Sequence, residues 1–203
     1  MTQISTKSKS VPLFFALNAT DPLQTTFLLA SKKLRINADQ KEMTVKWVPL
    51  ENFHVTVTFL GNRSAEEVPQ LEEVLKNVCA RFTSFDLKVE DVGAFASEHE
   101  ARVLWLGVQN KKYLNEFKTA LDQELSAQNL FLPAEEREYV PHLTIGRLRN
   151  PCSVKDMISP FKRKSFGKIH VNEIILYKSE LHGAFPVYTP IARCKLQEAD
   201  LSS

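Results

Sequence analysis

Short apolar runs with two-residue alternation, separated by stretches with helical spacing, organise this chain. "VPLFFALN" (Val11–Asn18) is an apolar run closed by turn-forming residues and predicts a strand. In "DPLQTTFLLASKKLRI" Asp21 is placed to cap a helix, and Pro22 fits its first position. Leu23, Phe27 and Leu34 recur at helical spacing. "KWVPLENFHVTVTFLG" predicts a turn and then a strand. "SAEEVPQLEEVLKNVCARF" predicts an amphipathic helix capped by Ser64, with Pro69 weakening or kinking its early part. "FDLKVEDVGAF" and "ARVLWLGVQ" alternate and predict a hairpin through "SEHE". "KKYLNEFKTALDQELSAQN" predicts a helix with Tyr113 or Leu114, Phe117, Leu121 and Leu125 on one side. "YVPHLTIGRL" predicts a strand, and "PCSVKDMISPF" a short helix or irregular segment. "GKIHVNEIILYKSEL" and "FPVYTPIARCKL" predict two last strands, joined at His182-Gly183. Hairpin-like strand pairs interleaved with helices imply an α+β fold with antiparallel sheets, not a doubly wound parallel sheet.

Composition narrows the picture modestly. At 203 residues the chain fits one domain, with no Gly/Ser linker to divide it. The polar segment 1–10 reads as a disordered tail ahead of a single unit spanning 11–198. A net charge of +2 provides no global field for a polyanion, so any anion site must be local. Cys79, Cys152 and Cys194 form neither a zinc pattern nor a disulfide framework, which fits a reducing cytoplasm. No apolar run approaches the ~18 residues of a membrane span.

One short pattern occurs twice. "HVTV" begins at His54 and "HLTI" at His142, each inside a strand-like run and each preceded by a proline. Alternate side chains of a strand share a face. His54 is therefore expected beside Thr56 and Thr58, opposite Phe53, Val55, Val57 and Phe59. His142 is expected beside Thr144 and Gly146, opposite Leu143 and Ile145. The repeat implies a pseudo-twofold molecule in which each half supplies one histidine. Two imidazoles and two hydroxyls around one group suit phosphoryl transfer. One neutral ring takes a proton, one protonated ring gives a proton, and the hydroxyls hold non-bridging oxygens. Neither motif carries a second metal ligand nearby, so no metal and no cofactor is expected.

These motifs resemble those of the 2H phosphoesterase superfamily, specifically the RNA 2′,3′-cyclic phosphodiesterase family, also called LigT-like or 2′-5′ RNA ligase proteins. "LFFALN", "WVPLENFHVTVTFLG", "VGAFASEHEARVLWLGV", "YVPHLTIGRL" and "IILYKSELHGAFPVYTPIARCKL" are similar to the family's segments in the same order. The resemblance implies two lobes facing across a cleft, and a substrate of RNA ends bearing a 2′,3′-cyclic phosphate. It implies His54 as general acid, His142 as general base, and Thr56 and Thr144 as phosphate ligands. It adds Arg147 near the phosphate. Strand parity puts Arg147 on the wrong face unless Gly146 permits a bulge. It also implies a monomer without membrane attachment, and reverse 2′-5′ ligation by the same groups. A related activity on 2′-5′ oligonucleotides or small cyclic nucleotides, or a non-catalytic RNA- or nucleotide-binding module, are the alternatives. His99, His170 and His182 are expected to lie outside the site, Lys162–Lys164 to be solvated surface, and Phe95, Trp105 and Tyr188 to be core.

Overall fold

Nine antiparallel strands form one strongly curved sheet in the computed structural model, which describes residues 10–19, 31–130, 132, 138–183 and 185–198. The strands are β1 (Val11–Asn18), β2 (Val45–Trp47), β3 (His54–Arg63), β4 (Phe85–Phe95) and β5 (Ala101–Gln109). They continue with β6 (His142–Cys152), β7 (Ser165–Val171), β8 (Glu173–His182) and β9 (Phe185–Lys195). Their order is β7-β4-β5-β6-β3-β1-β8-β9, with β2 added to β6. The helices are α1 (residues 31–40), α2 (Val68–Cys79), α3 (Lys112–Ala127) and the single turn α4 (Lys155–Ile158). The α+β class and the antiparallel pairing are as the patterning predicts. No helix among the described residues is long and apolar enough to cross a membrane.

The sheet order is mirrored about the β6–β3 junction. One lobe is β3-β1-β8-β9 and the other is β6-β5-β4-β7. The junction is narrow, with Val55 opposite Leu143 as its register pair. The two histidine strands are thus the innermost strand of each lobe. The lobes are not the two halves of the sequence: β8 returns from the end of the chain to pair with β1, and β9 pairs with β8.

That return corrects the expected strand "GKIHVNEIILYKSEL". The run is two strands: β7 pairs with β4, and β8 pairs with β1 in the other lobe. Asn172 stands between them, and its carbonyl accepts from Leu196 N at 2.8 Å. A continuous apolar run carries no mark of such a crossing, because both strands send buried residues into the same core.

Pro69 breaks nothing. Ser64 and Glu67 form a capping box over a 3-10 turn (Ala65–Glu67), and α2 begins after it, so Pro69 falls in the first helical turn. There its missing N–H has no partner to lose. On α3 the buried positions are Leu114, Phe117, Lys118, Leu121 and Leu125, which selects Leu114 over Tyr113. Leu34 of α1 is buried, while Asp21, Pro22, Leu23 and Phe27 lie outside the described residues, as does the expected tail apart from Ser10. One contiguous core joins α2, α3 and the buried faces of both lobes.

Candidate active site

His54 opens β3 and His142 opens β6, and both side chains reach one cleft of about 300 Å³. Thr56, Thr144 and Arg147 line the same cleft. The five residues singled out from the sequence are therefore brought together.

Each imidazole is held in the same way. His54 Nδ1 lies 2.7 Å from the carbonyl oxygen of Asn52, and His142 Nδ1 lies 2.7 Å from that of Val140. A carbonyl only accepts, so Nδ1 carries the hydrogen and donates it. Nε2 is left as the basic nitrogen in the neutral ring. In the first copy the carbonyl comes from a 3-10 turn (Leu50–Asn52) that Phe53 N closes onto Leu50 O at 2.9 Å. Asn52 also donates from Nδ2 to Pro186 O at 3.0 Å, tying β9 to the histidine turn.

Aromatic edges fix the rings further. Tyr188 meets His54 at 4.9 Å between centroids and 78°, and Phe95 meets His142 at 4.9 Å and 83°. Phe14 packs on His54 from another side at 5.1 Å. Tyr188 is thus a cleft residue rather than a core residue. Phe95 and Trp105 form a tilted pair at 5.4 Å, placing Trp105 one ring behind His142.

Burial pushes both imidazoles below the ordinary histidine value, with the carbonyl hydrogen bonds opposing it. The Arg147 guanidinium lowers both further, and at His54 the neighbouring His142 does so as well.

Bulges overturn the simple parity of both strands. In the β5–β6 ladder Leu104 pairs with Gly146 and Trp105 with Thr144, which leaves Ile145 as an extra residue. Beyond it the exposed side is that of Arg147, so the arginine joins His142 and Thr144 in the cleft. Gly146 allows this: a Cβ there would lie 2.9 Å from Val45 Cγ1 and 3.3 Å from Trp47 Cε3. The β1–β3 ladder has the same shift, with Phe15 on Thr58 and Ala16 on Thr56, leaving Val57 extra. This corrects the expected faces. Thr58 is buried and donates to Asp122 Oδ1 at 3.0 Å, while Phe59 turns outward and lines the cleft. Alternation alone cannot locate a bulge, because a bulge is a property of the ladder and not of one strand.

Asp122 belongs to a wider brace. Lys118 Nζ lies 2.6 Å from Asp122 Oδ2 and 5.2 Å over the Tyr139 ring, and Tyr139 Oη donates to Thr56 O at 2.9 Å. Helix α3 thereby holds the first motif's backbone to the segment that leads into the second.

Sequence reasoning missed Lys46, which is opposite Arg147 in the β2–β6 ladder and also lines the cleft. The other candidates lie elsewhere. His170 sits at the surface with Nδ1 2.9 Å from Asp86 Oδ1, and His99 is exposed. Lys162 engages Glu98 at 2.6 Å. Among the described residues no three His, Cys, Asp or Glu side chains converge as a metal site requires.

A family model described as LigT like Phosphoesterase matches this chain twice in tandem, over residues 29–105 and 106–188. The chain is 39% identical over 150 residues to an RNA 2′,3′-cyclic phosphodiesterase of Methanocaldococcus jannaschii, spanning 72% of this chain and 82% of that protein. It is 33% identical over 148 residues to the Methanothermobacter thermautotrophicus protein of the same name, spanning 71% and 79%. Among solved structures, TT0787 of Thermus thermophilus has a TM-score of 0.72 at 22% identity, covering 92% of this chain and 98% of that one. Escherichia coli LigT complexed with 3′-AMP has a TM-score of 0.70 at 23% identity, covering 94% and 100%. At these identities the two structures establish a shared fold.

Proposed function

The chain belongs to the LigT-like phosphoesterase family, and on that premise we propose that it hydrolyses 2′,3′-cyclic phosphate ends of RNA to 2′-phosphomonoesters. The observation that carries this reading is the pair of imidazoles facing one cleft. Each is held by a carbonyl at Nδ1 and each has a threonine two residues on. Relatives named RNA 2′,3′-cyclic phosphodiesterase support the substrate class.

In this mechanism His142 Nε2 takes a proton from water as the water oxygen bonds to phosphorus. The bond from phosphorus to the 3′ oxygen breaks, and His54 Nε2–H delivers a proton to that oxygen. The product keeps the phosphate on the 2′ oxygen. Thr56, Thr144 and Arg147 take up charge on the non-bridging oxygens. The carbonyl at each Nδ1 keeps the proton traffic on Nε2, since flipping a ring would break its hydrogen bond. Microscopic reversibility lets the same groups join a cyclic phosphate to a 5′-hydroxyl, with the two histidine roles exchanged.

The test is product analysis on a defined RNA ending in a 2′,3′-cyclic phosphate, with chelator present. A 2′-phosphate is expected, formed without added metal. His54→Ala and His142→Ala should each lower kcat by roughly 10²–10⁴-fold. Full activity in either variant, or a 3′-phosphate product, would overturn the assignment.

A further inference from the structure

The junction between the two lobes is built like a pivot. Val55 and Leu143 are its register pair, and each lies one residue beyond a cleft histidine. One pair fixes the spacing of two strands but not their angle, so a turn about it would swing His54 and His142 apart. Two ties flank Leu143 along the second segment. Val48 N donates to Ile145 O at 3.0 Å, and Tyr139 Oη donates to Thr56 O at 2.9 Å.

The tie through Tyr139 reaches both motifs. Its hydroxyl meets the backbone of Thr56, the cleft threonine of the first strand. Its own peptide leads directly into Val140, whose carbonyl holds His142 Nδ1 at 2.7 Å. The Tyr139 ring is itself held. Lys118 Nζ stands 5.2 Å over its face and 2.6 Å from Asp122 Oδ2, and Lys118 is only 7% exposed. A lysine so buried needs its charge compensated, here by a carboxylate and an aromatic face. Asp122 Oδ1 in turn accepts from Thr58 at 3.0 Å. Thr56 and Thr58 stand on either side of Val57, the extra residue of β3, so this circuit grips the bulge from both ends.

We infer that Tyr139 is a positioning residue for both histidines: its hydroxyl locks the two motif strands at one angle, and its peptide steadies the Val140 carbonyl that orients His142. For the reaction this rests on the cyclic phosphodiesterase reading; for the locking it rests on the hydrogen bonds themselves. Tyr139 acts through Thr56 and Val140 rather than on the phosphate. Without its hydroxyl the ring stays over Lys118, but the angle between the strands is freed. Each imidazole can then still meet a bound phosphate, while the two no longer act together in one transition state. Such a loss falls on kcat and leaves KM alone.

The experiment compares the full chain with its Tyr139→Phe variant, well below the Tm of either. Turnover of adenosine 2′,3′-cyclic phosphate is measured, and the imidazole Nδ1–H resonances are followed by NMR without substrate. In Tyr139→Phe, kcat should fall about 10- to 100-fold with KM unchanged, since misplacing a catalytic group by about 1 Å costs up to ~10²-fold. The His142 Nδ1–H resonance should broaden by exchange with water, while that of His54, held by Asn52, stays sharp. Incorporating 4-aminophenylalanine at position 139 supplies an N–H donor and should restore kcat; 4-fluorophenylalanine, which cannot donate, should not. Unchanged kcat, a loss confined to KM, a His142 resonance as sharp as in the unaltered chain, or equal rescue by both analogues would overturn the proposal. The NMR arm stands apart from the chemistry. A chain that leaves the cyclic phosphate intact, yet whose His142 resonance depends on the Tyr139 hydroxyl, would refute the catalytic reading alone.

Discussion

Adding one methyl group at Gly93 should disturb His142 through two rings. Gly93 lies opposite Trp105 in the β4–β5 ladder, and the indole folds over it. A Cβ on Gly93 would sit 2.2 Å from both Cη2 and Cζ2 of Trp105 and 2.7 Å from Cε2. Ordinary carbon contacts are about 3.5–4.0 Å, so the ring must retreat by roughly 1.3–1.8 Å. The Trp105 backbone cannot carry it away, because it pairs with Thr144 on the other side. The indole therefore rotates and presses on Phe95, whose edge abuts His142. Overpacking of this kind costs about 1–3 kcal/mol. For a chain of this size that lowers Tm by roughly 2–12 °C, at about 2–4 °C per kcal/mol. Misplacing a catalytic group by 1 Å can cost about 10²-fold. Because the shift is passed on through Phe95, a loss of about 10- to 100-fold in kcat/KM is expected for Gly93→Ala. Differential scanning calorimetry and steady-state kinetics on a cyclic phosphate measure the two effects. Trp105→Phe in the Gly93→Ala background shortens the offending ring and should recover part of both. A Gly93→Ala variant with unchanged Tm would refute the packing argument. A lowered Tm with unchanged kcat/KM would refute the ring-to-ring link to His142.

Further outcomes follow from the same geometry. Both imidazoles lie below the ordinary histidine value, so kcat/KM should trace a bell with its maximum on the acid side of pH ~6.5. Arg147→Gln removes a cation that lowers both, so the maximum should move upward even as activity falls; an unmoved optimum would contradict that cause. Stability should respond to the same burial: the fold favours neutral His54 and the unfolded chain binds the proton more readily. Its contribution is complete above pH ~6.5 and is lost as pH falls toward the lower folded value, so denaturant titrations of His54→Gln should show a shallower acid loss than the unaltered chain. Asp122→Ala removes the acceptor of Thr58 and the carboxylate beside buried Lys118. It should cost about 2–3 kcal/mol, less than the 3–5 of a fully buried pair because Asp122 is a third exposed. Ser64→Ala removes the side-chain half of the capping box, the Ser64 hydroxyl that accepts from the Glu67 backbone, and leaves Ser64 N donating to Glu67 Oε2 at 2.8 Å. A loss of about 0.5–2 kcal/mol with unchanged kinetics is expected by urea unfolding and initial-rate assays.

Residue pattern alone determined a good deal of this protein. Period-two alternation located the β4–β5 hairpin, helical spacing located α3, and the repeated His-x-Thr-x named both histidines and both threonines. Each of these is a local property, because a strand's alternation and a helix's stripe record which side meets the core. Pairing was not legible. That β7 and β8 belong to opposite lobes follows from where the chain crosses, and the apolar run through Asn172 reads the same either way. The bulges at Val57 and Ile145 arise between strands, so only the ladder reveals that Phe59 and Arg147 face the cleft while Thr58 is buried. The tautomers were beyond the sequence as well, since they depend on which carbonyl meets each Nδ1. Tertiary structure decided these features because each is set by a partner distant in the chain or by backbone geometry, neither of which a residue's own hydrophobicity encodes.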